Sequence, residues 1–192
     1  MKDLETGTLW SHILGEAMRG ELKGERLTIL PAVITRWSEW KRRHPDTTIL
    51  ALRRTSREFV TEFQKNSEIF VLGIGGGAGD KLAFSFDVMS DEKILNDRLN
   101  GESIVATFDP DTTEAHCFAR ETGGRTLTFK PGKKPGRMTD RETGSVWDSE
   151  RGICLAGSMK GSELDEIPAM ISFRNAWFTF HPDSRLSKRT DK

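Results

Sequence analysis

Residues 3–24, DLETGTLWSHILGEAMRGELKG, return at residues 140–161 as DRETGSVWDSERGICLAGSMKG. The match continues without a gap at a constant offset of 137 residues, laying 3–49 onto 140–186, and 17 of the 47 paired positions are identical. The identities fall on residues that chance does not keep in register. Asp3 pairs with Asp140, Glu5 with Glu142, Gly7 with Gly144 and Trp10 with Trp147. Further on, Pro31 pairs with Pro168, Trp40 with Trp177, His44 with His181 and Asp46 with Asp183. A self-match of this kind marks a duplicated structural unit, so the fold is built from two copies of it.

Each residue type in the unit has a physical use. Asp-x-Glu-Thr-Gly predicts a turn, in which Asp and Thr bond nearby backbone and Gly7 and Gly144 take positive φ. Thr8-Leu9-Trp10 and Ser145-Val146-Trp147 read as strand starts carrying a large aromatic to bury, and the glycines that follow mark turns between short strands. Pro31-Ala32 and Pro168-Ala169 are then expected to open a helix, because proline suits a first helical turn. Val33, Trp37 and Trp40, and Met170, Phe173 and Trp177, fall at helical spacing within it. His-Pro-Asp stops the helix, since histidine suits its negative end and proline cannot continue it.

Outside the copies the chain changes character. Residues 50–66 form a connector with a helix expected around 57–65. Residues 67–138 read as a central strand-rich block. In it, 67–74 (SEIFVLGI) and 81–88 (KLAFSFDV) flank a glycine-rich turn, with Leu82, Phe84, Phe86 and Val88 alternating onto one face. The segments 103–108 and 115–120 continue the pattern, and Glu121-Thr122-Gly123-Gly124 supplies a hairpin turn before a strand at 125–129. Residues 139–186 hold the second unit and 187–192 a polar tail. The expected fold is mainly β with short helices (β or α+β), two units of about 47 residues packed around the central block.

Composition narrows the function classes. Lys plus Arg and Asp plus Glu each number 29 in the 192 residues, so the formal net charge is zero. That balance argues against a nucleic-acid or anionic-membrane partner, whose binding rests on positive charge. The basic clusters Lys41-Arg42-Arg43, Arg53-Arg54 and 130–137 read as solvated surface. Two cysteines exclude a disulfide scaffold and a four-thiolate zinc site. No apolar run approaches the roughly 18 residues needed to span a bilayer. The start has no apolar signal core, so the chain as it stands is expected in the cytoplasm, and an exported parent only if the natural start has been lost.

Four segments together, 140–147 (DRETGSVW), Pro168 through His181-Pro182-Asp183, Ile94-Leu95-Asn96-Asp97 and 124–129 (GRTLTF), resemble the bacterial and archaeal family known as domain of unknown function 3179. The resemblance spans roughly residues 3–186 and implies this architecture; it brings no established biochemical role. Members of that family typically begin with a strand-rich block before the first unit, often bearing a Cys-Pro-x-Cys motif. Here the chain starts directly at the unit, and the matching segment of the block that is present reads Asp109-Pro110-Asp111-Thr112, without thiols. The resemblance therefore implies a shortened member or a fragment and lends no support to a redox or metal role.

The remaining candidates for chemistry are few. Gly73-Ile74-Gly75-Gly76-Gly77-Ala78 fits the dinucleotide fingerprint in letters, but that site needs a helix next, and the period-two pattern that follows predicts a strand. No cofactor is expected. None of the histidines at 12, 44, 116 and 181 has a zinc-site partner at i+4, and His116 and Cys117 point to opposite faces of a strand, so no metal is expected either. His-Pro-Asp also occurs in the loop of J-domains, which are helical hairpins unlike this strand-rich chain. The acids Asp3/Glu5 and Asp140/Glu142 stand near Trp10 and Trp147 but lack a nucleophile motif. If repetition builds a cleft, its expected lining is Glu5, Trp10, His44, Asp46, Glu142, Trp147, His181 and Asp183. The leading expectation is a non-catalytic ligand- or protein-binding or structural module, with a partner or self-association covering the first unit. Its rival is a hydrolytic or metal-assisted enzyme using the repeated acids and histidines.

Overall fold

The computed structural model describes residues 1–49, 67–75 and 79–187; the helix expected around 57–65, the tail from 188 and the tip of the glycine-rich turn lie outside them. The chain is mainly β with three short helices among the described residues. Both copies of the unit form the same strand pair and the same closing helix. In the first, β1 (Leu9–Ser11) and β2 (Glu16–Arg19) make an antiparallel pair and α1 (Trp37–Arg43) follows. In the second, the equivalents are β12 (Val146–Asp148), β13 (Cys154–Ala156) and α3 (Arg174–Phe180). The helix caps coincide closely: His44 closes α1 at φ −125°, ψ 71°, and His181 closes α3 at φ −131°, ψ 68°. Gly20 and Gly157 sit where a β-carbon would press on Thr8 and on Ser145 respectively, so the turn needs glycine in both copies.

Between the copies lies the strand-rich block. A single 3-10 turn (Ser67–Ile69) leads into β3 (Phe70–Ile74), which pairs antiparallel with β4 (Leu82–Ser85). The glycine-rich segment therefore joins strand to strand, as its period-two continuation predicts, and offers no helix N-terminus to a phosphate. After α2 (Phe86–Glu92), β5 (Ile94–Leu99), β6 (Glu102–Asp109) and β7 (Glu114–Ala119) form an antiparallel meander. The small hairpin of β8 (Glu121–Thr122) and β9 (Arg125–Thr126) follows at the expected turn. Strands β10 (Phe129–Pro131) and β11 (Arg137–Asp140) then add to β12 and β13 in a four-stranded sheet. Another four-stranded sheet runs β14 (Ala169–Phe173), β3, β4 and β15 (Arg185–Leu186), so the second copy embraces the block on two edges.

Three sequence expectations need correction. The segment after Pro168 is a strand, not a helix: Ala169 to Phe173 pair with Ile74 to Phe70, and the helix starts only at Arg174. The free edge of β3 overrides a local pattern that fits a helix as well as a strand. In the first copy Ala32 to Arg36 are likewise non-helical, and α1 begins at Trp37. Residues 81–88 are also not one strand, because β4 ends at Ser85 and Phe86 and Met89 bury from one face of α2. The stretch 125–129 is interrupted at Leu127 and Thr128 rather than continuous.

Two apolar cores result. One gathers Phe70, Leu72, Phe84, Phe86, Leu95, Ile104 and Ala106 beneath the β3–β4 pair. The other places Trp147, Cys154 and Leu164 of the second copy against Ile94, Val105, Phe118, Leu127, Phe129 and Met138 of the block. A smaller cluster seats Trp177 on Val71 and Ala83, and a β-carbon at Gly73 would overlap the indole ring. Among the described residues no helix is long and apolar enough to cross a membrane.

Candidate functional site

The repeated Asp-x-x-Thr-Gly-x-x-Trp segment is a self-contained knot of hydrogen bonds. The Trp10 indole N–H donates to Asp3 Oδ2 at 2.9 Å, and the Trp147 indole N–H donates to Asp140 Oδ2 at the same 2.9 Å. The Thr6 amide donates to Asp3 Oδ1 at 2.7 Å, and the Thr143 hydroxyl donates to Asp140 Oδ2 at 2.9 Å. These donors favour the charged form. The Trp10 and Thr6 N–H groups draw the Asp3 carboxyl down to about 2. Burial opposes ionisation of Asp140, but the Trp147 indole and the Thr143 amide and hydroxyl outweigh it and its pKa is also lowered. Glu142 accepts the Thr128 amide at 2.8 Å, while Glu5 stands exposed beside Trp10 on a shallow cleft.

The His-Pro-Asp segments are equally built into the scaffold. His44 and His181 donate their amides to the carbonyls of Trp40 and Trp177, both at 2.8 Å, and their rings lie 4.1 and 4.3 Å from those indoles. Trp40 and Trp177 in turn donate to the Thr47 and Ser184 hydroxyls, at 3.1 and 2.8 Å. Asp46 and Asp183 are exposed. Burial, then the nearby Lys81 charge, lowers the pKa of His181. The eight residues expected to line one cleft are thus distributed: Trp147 in a core, His181 buried on Trp177, Glu142 on the Thr128 amide, His44 at one cleft, Glu5 and Trp10 at another, and Asp46 and Asp183 on the exposed surface.

What the duplication does build is a pair of equivalent clefts, each formed where one copy's turn meets the other copy's Pro-Ala segment and tryptophan. One, of about 410 Å³, has Ile13, Leu14 and Ile29 of the first copy facing Pro168, Met170 and Trp177 of the second. The other, of about 570 Å³, has Glu150, Arg151 and Glu166 of the second copy facing Pro31, Val33 and Trp40 of the first. At the repeat offset Ile13 corresponds to Glu150, Leu14 to Arg151 and Ile29 to Glu166. The two clefts have the same origin but one is apolar and the other charged.

The charged cleft rests on a network joining the first unit, the block and the second unit. His116, on β7, lies with Nδ1 2.8 Å from Glu166 Oε1 and Nε2 3.5 Å from Glu114 Oε2. Arg43, in the last turn of α1, pairs through Nη2 with Glu114 Oε1 and through Nη1 with Glu150 Oε2 at 3.3 Å. The Glu114 side chain is fully buried, that of His116 nearly so, and that of Arg43 partly buried. Burial works against the imidazolium, but the two carboxylates outweigh it and raise His116 to about 9. Burial likewise opposes ionisation of Glu114, and His116 and Arg43 overcome it, holding that carboxyl at about 2. Glu150 moves the other way, raised first by burial and then by the Glu114 charge.

This chemistry is closed on itself. An imidazolium with both ring nitrogens directed at carboxylates has no lone pair for a metal or for abstracting a proton. Among the described residues no three His, Cys, Asp or Glu side chains are arranged to hold a metal ion. Cys117 and Cys154 are buried, and burial pushes both thiols up, away from the reactive thiolate. The sequence does not single out Glu114, Glu150 or Glu166, and Arg43, expected as solvated surface, is instead drawn onto Glu114 and Glu150. Two signals pointed to them: Glu114 and His116 sit two apart on a strand and so share a face, and the repeat replaces Ile13 and Ile29 by acids in its second copy.

No curated protein and no solved structure matches the chain. The family described as "Protein of unknown function (DUF3179)" matches residues 1–69 and again residues 58–192, one match over each copy of the unit. The second match alone covers more than half of the sequence, and the chain belongs to the DUF3179 family.

Proposed function

We propose that the chain is a non-catalytic binding module that docks a protein partner on the face of its first repeat unit. One observation carries this reading: two copies of one unit are covered unequally. In the second copy Trp147 is 0% exposed and Leu164 5%, beneath Leu127, Phe129 and Met138. In the first, Leu27, the counterpart of Leu164, is 48% exposed, and Trp10 is half-buried at a cleft of about 340 Å³ with Met1 and Leu22. Phe129 meets the Trp147 ring edge-on at 5.6 Å, and among the described residues Trp10 has no such neighbour. An apolar face of this kind on a folded unit is what a protein interface uses. The use of Asp3, Asp140 and Glu142 in bonds to the tryptophans and the nearby backbone supports the same reading against the enzymatic one.

Alanine at Glu142 and at His181 separates the two. A binding module with structural use for these side chains loses about 1 kcal/mol at Glu142, where the Thr128 amide loses its acceptor. It loses roughly 1–2 kcal/mol at His181, where the indole loses its packing. Urea unfolding reads both. An enzyme that holds these groups for chemistry keeps or gains stability on their removal, and that outcome rejects the proposal.

A further inference from the structure

The apolar cleft between the two copies is a different surface from the face of the first unit. Its volume of about 410 Å³ lies between Ile13, Leu14 and Ile29 on one side and Pro168, Met170 and Trp177 on the other. The central block contributes Ile74, Leu99 and Ile104 to the lining. Gly73 shapes the site, because only a residue without a β-carbon lets the Trp177 indole lie against β3. Size and lining both match those of a small-molecule pocket, which is concave and mostly apolar.

The polar groups of the lining decide what kind of ligand fits, because most of them already have partners. The Leu14 amide donates to the Ser11 hydroxyl at 3.2 Å and the Gly15 amide to the Ser11 carbonyl at 3.0 Å. The Leu27 and Ile167 amides donate to the carbonyls of Gly15 and Cys117, both at 2.8 Å. Gly73, Ile74, Ala169 and Met170 pair within the sheet. The Trp177 indole N–H is spent on the Ser184 hydroxyl at 2.8 Å, and Arg26 pairs with Glu16 at 2.8 Å. The Asn100 side chain accepts the Asp80 amide at 2.9 Å and donates to the Asp80 carbonyl at 3.5 Å. Glu102 is an exposed carboxylate. A water in this cleft therefore finds few of the two to four partners it needs, and apolar surface displaces such water at a gain in affinity. The twin cleft has the opposite character. There Glu150, Arg151 and Glu166 replace Ile13, Leu14 and Ile29, and an apolar molecule would strip water from their charges.

We infer that the cleft between Ile13, Ile29, Met170 and Trp177 is a binding site for an uncharged, apolar small molecule. The site is separate from the docking face of the first unit; Leu27 borders both and is left unchanged in the test. The purified chain, labelled at its Ile, Leu and Met methyls, is titrated with straight-chain alcohols from pentanol to octanol and followed by NMR. The expected result is saturable shifts at Ile13, Ile29 and Met170, with affinity rising about three- to fourfold for each methylene added. Octanoate is expected to bind about fivefold more weakly than octanol or worse, since its carboxylate loses water beside Glu102 while Arg26 is held by Glu16. Ile29→Glu gives this half-buried position the residue its counterpart Glu166 holds, and is expected to weaken octanol binding about tenfold or more. Val33→Glu, in the twin cleft, is expected to leave it unchanged. No saturable shift, an affinity indifferent to chain length, or octanoate binding as tightly as octanol overturns the inference. These outcomes come from the wild-type chain and hold whether or not Ile29→Glu folds. Shifts confined to Met1 and Leu22 overturn it too, while leaving the docking face of the first unit standing.

Discussion

Trp147→Ala is expected to lower stability by about 3–5 kcal/mol, the range for removing a fully buried large aromatic. Trp10→Ala, the same substitution at the same place in the first copy, is expected to cost about 1–2 kcal/mol. The two tryptophans make the same bond to their aspartates, at 2.9 Å each, so the hydrogen bond cancels in the comparison. What remains is the cover. Trp147 is enclosed by the block and meets Phe129 edge-on, so its removal opens a cavity between rigid strands. Trp10 borders an open cleft, where solvent fills the space its side chain leaves. Urea unfolding of both variants, taken at protein concentrations where the chain is monomeric, gives the difference directly. Equal losses would mean that the first copy is covered after all.

The second large effect lies in the charge network. Arg43→Met leaves Glu114, with no side-chain exposure, facing Glu150 without the guanidinium between them. Removing one partner from a buried ion pair typically costs about 3–5 kcal/mol, and because His116 still faces Glu114 the loss here is expected at or below the lower end of that range. The double variant Arg43→Met with Glu114→Gln removes the stranded charge, so its cost falls well short of the sum of the single losses. The network also sets a pH window. His116 has its folded pKa raised from 6.5 to about 9, so its contribution is complete below pH 6.5 and is lost as the pH rises through 9. Glu114 has its pKa lowered from 4.5 to about 2, so its contribution is complete above pH 4.5 and is lost as the pH falls toward 2. The contribution of the pair is therefore greatest between those two limits. On the alkaline side about 3 kcal/mol disappears, and His116→Gln flattens that limb. An alkaline limb unchanged in His116→Gln would show that the imidazole is not held charged.

The fold was legible where it is local. The turn, the tryptophan it precedes and the histidine that closes each helix are fixed by residues within a few positions of one another, and duplication prints each signal twice. It was illegible where a distant strand decides. Ala169 to Phe173 are extended because β3, about a hundred residues upstream, offers a free edge. The alternation of Leu82 and Phe84 extended misleadingly to Phe86 because β4 is buried on both faces, so period two carries no information about where the strand stops. The charged cleft was hidden for a related reason. Arg43, Glu114, His116, Glu150 and Glu166 are brought together from four separate stretches, and within each stretch the acid or base looks like solvated surface. Reading the repeat for its differences as well as its identities exposes the cleft, since acids at the counterparts of Ile13 and Ile29 break the pattern of a shared core.

The uncovered face of the first unit is tested most directly by dye binding. The Met1, Trp10, Leu22 and Leu27 cleft is open, so the chain is expected to bind anilinonaphthalene sulfonate with a strong rise in emission. Leu27→Glu should abolish that rise while the circular dichroism stays unchanged. Emission that is absent in the wild type, or present and insensitive to Leu27→Glu, would contradict a docking face on this unit.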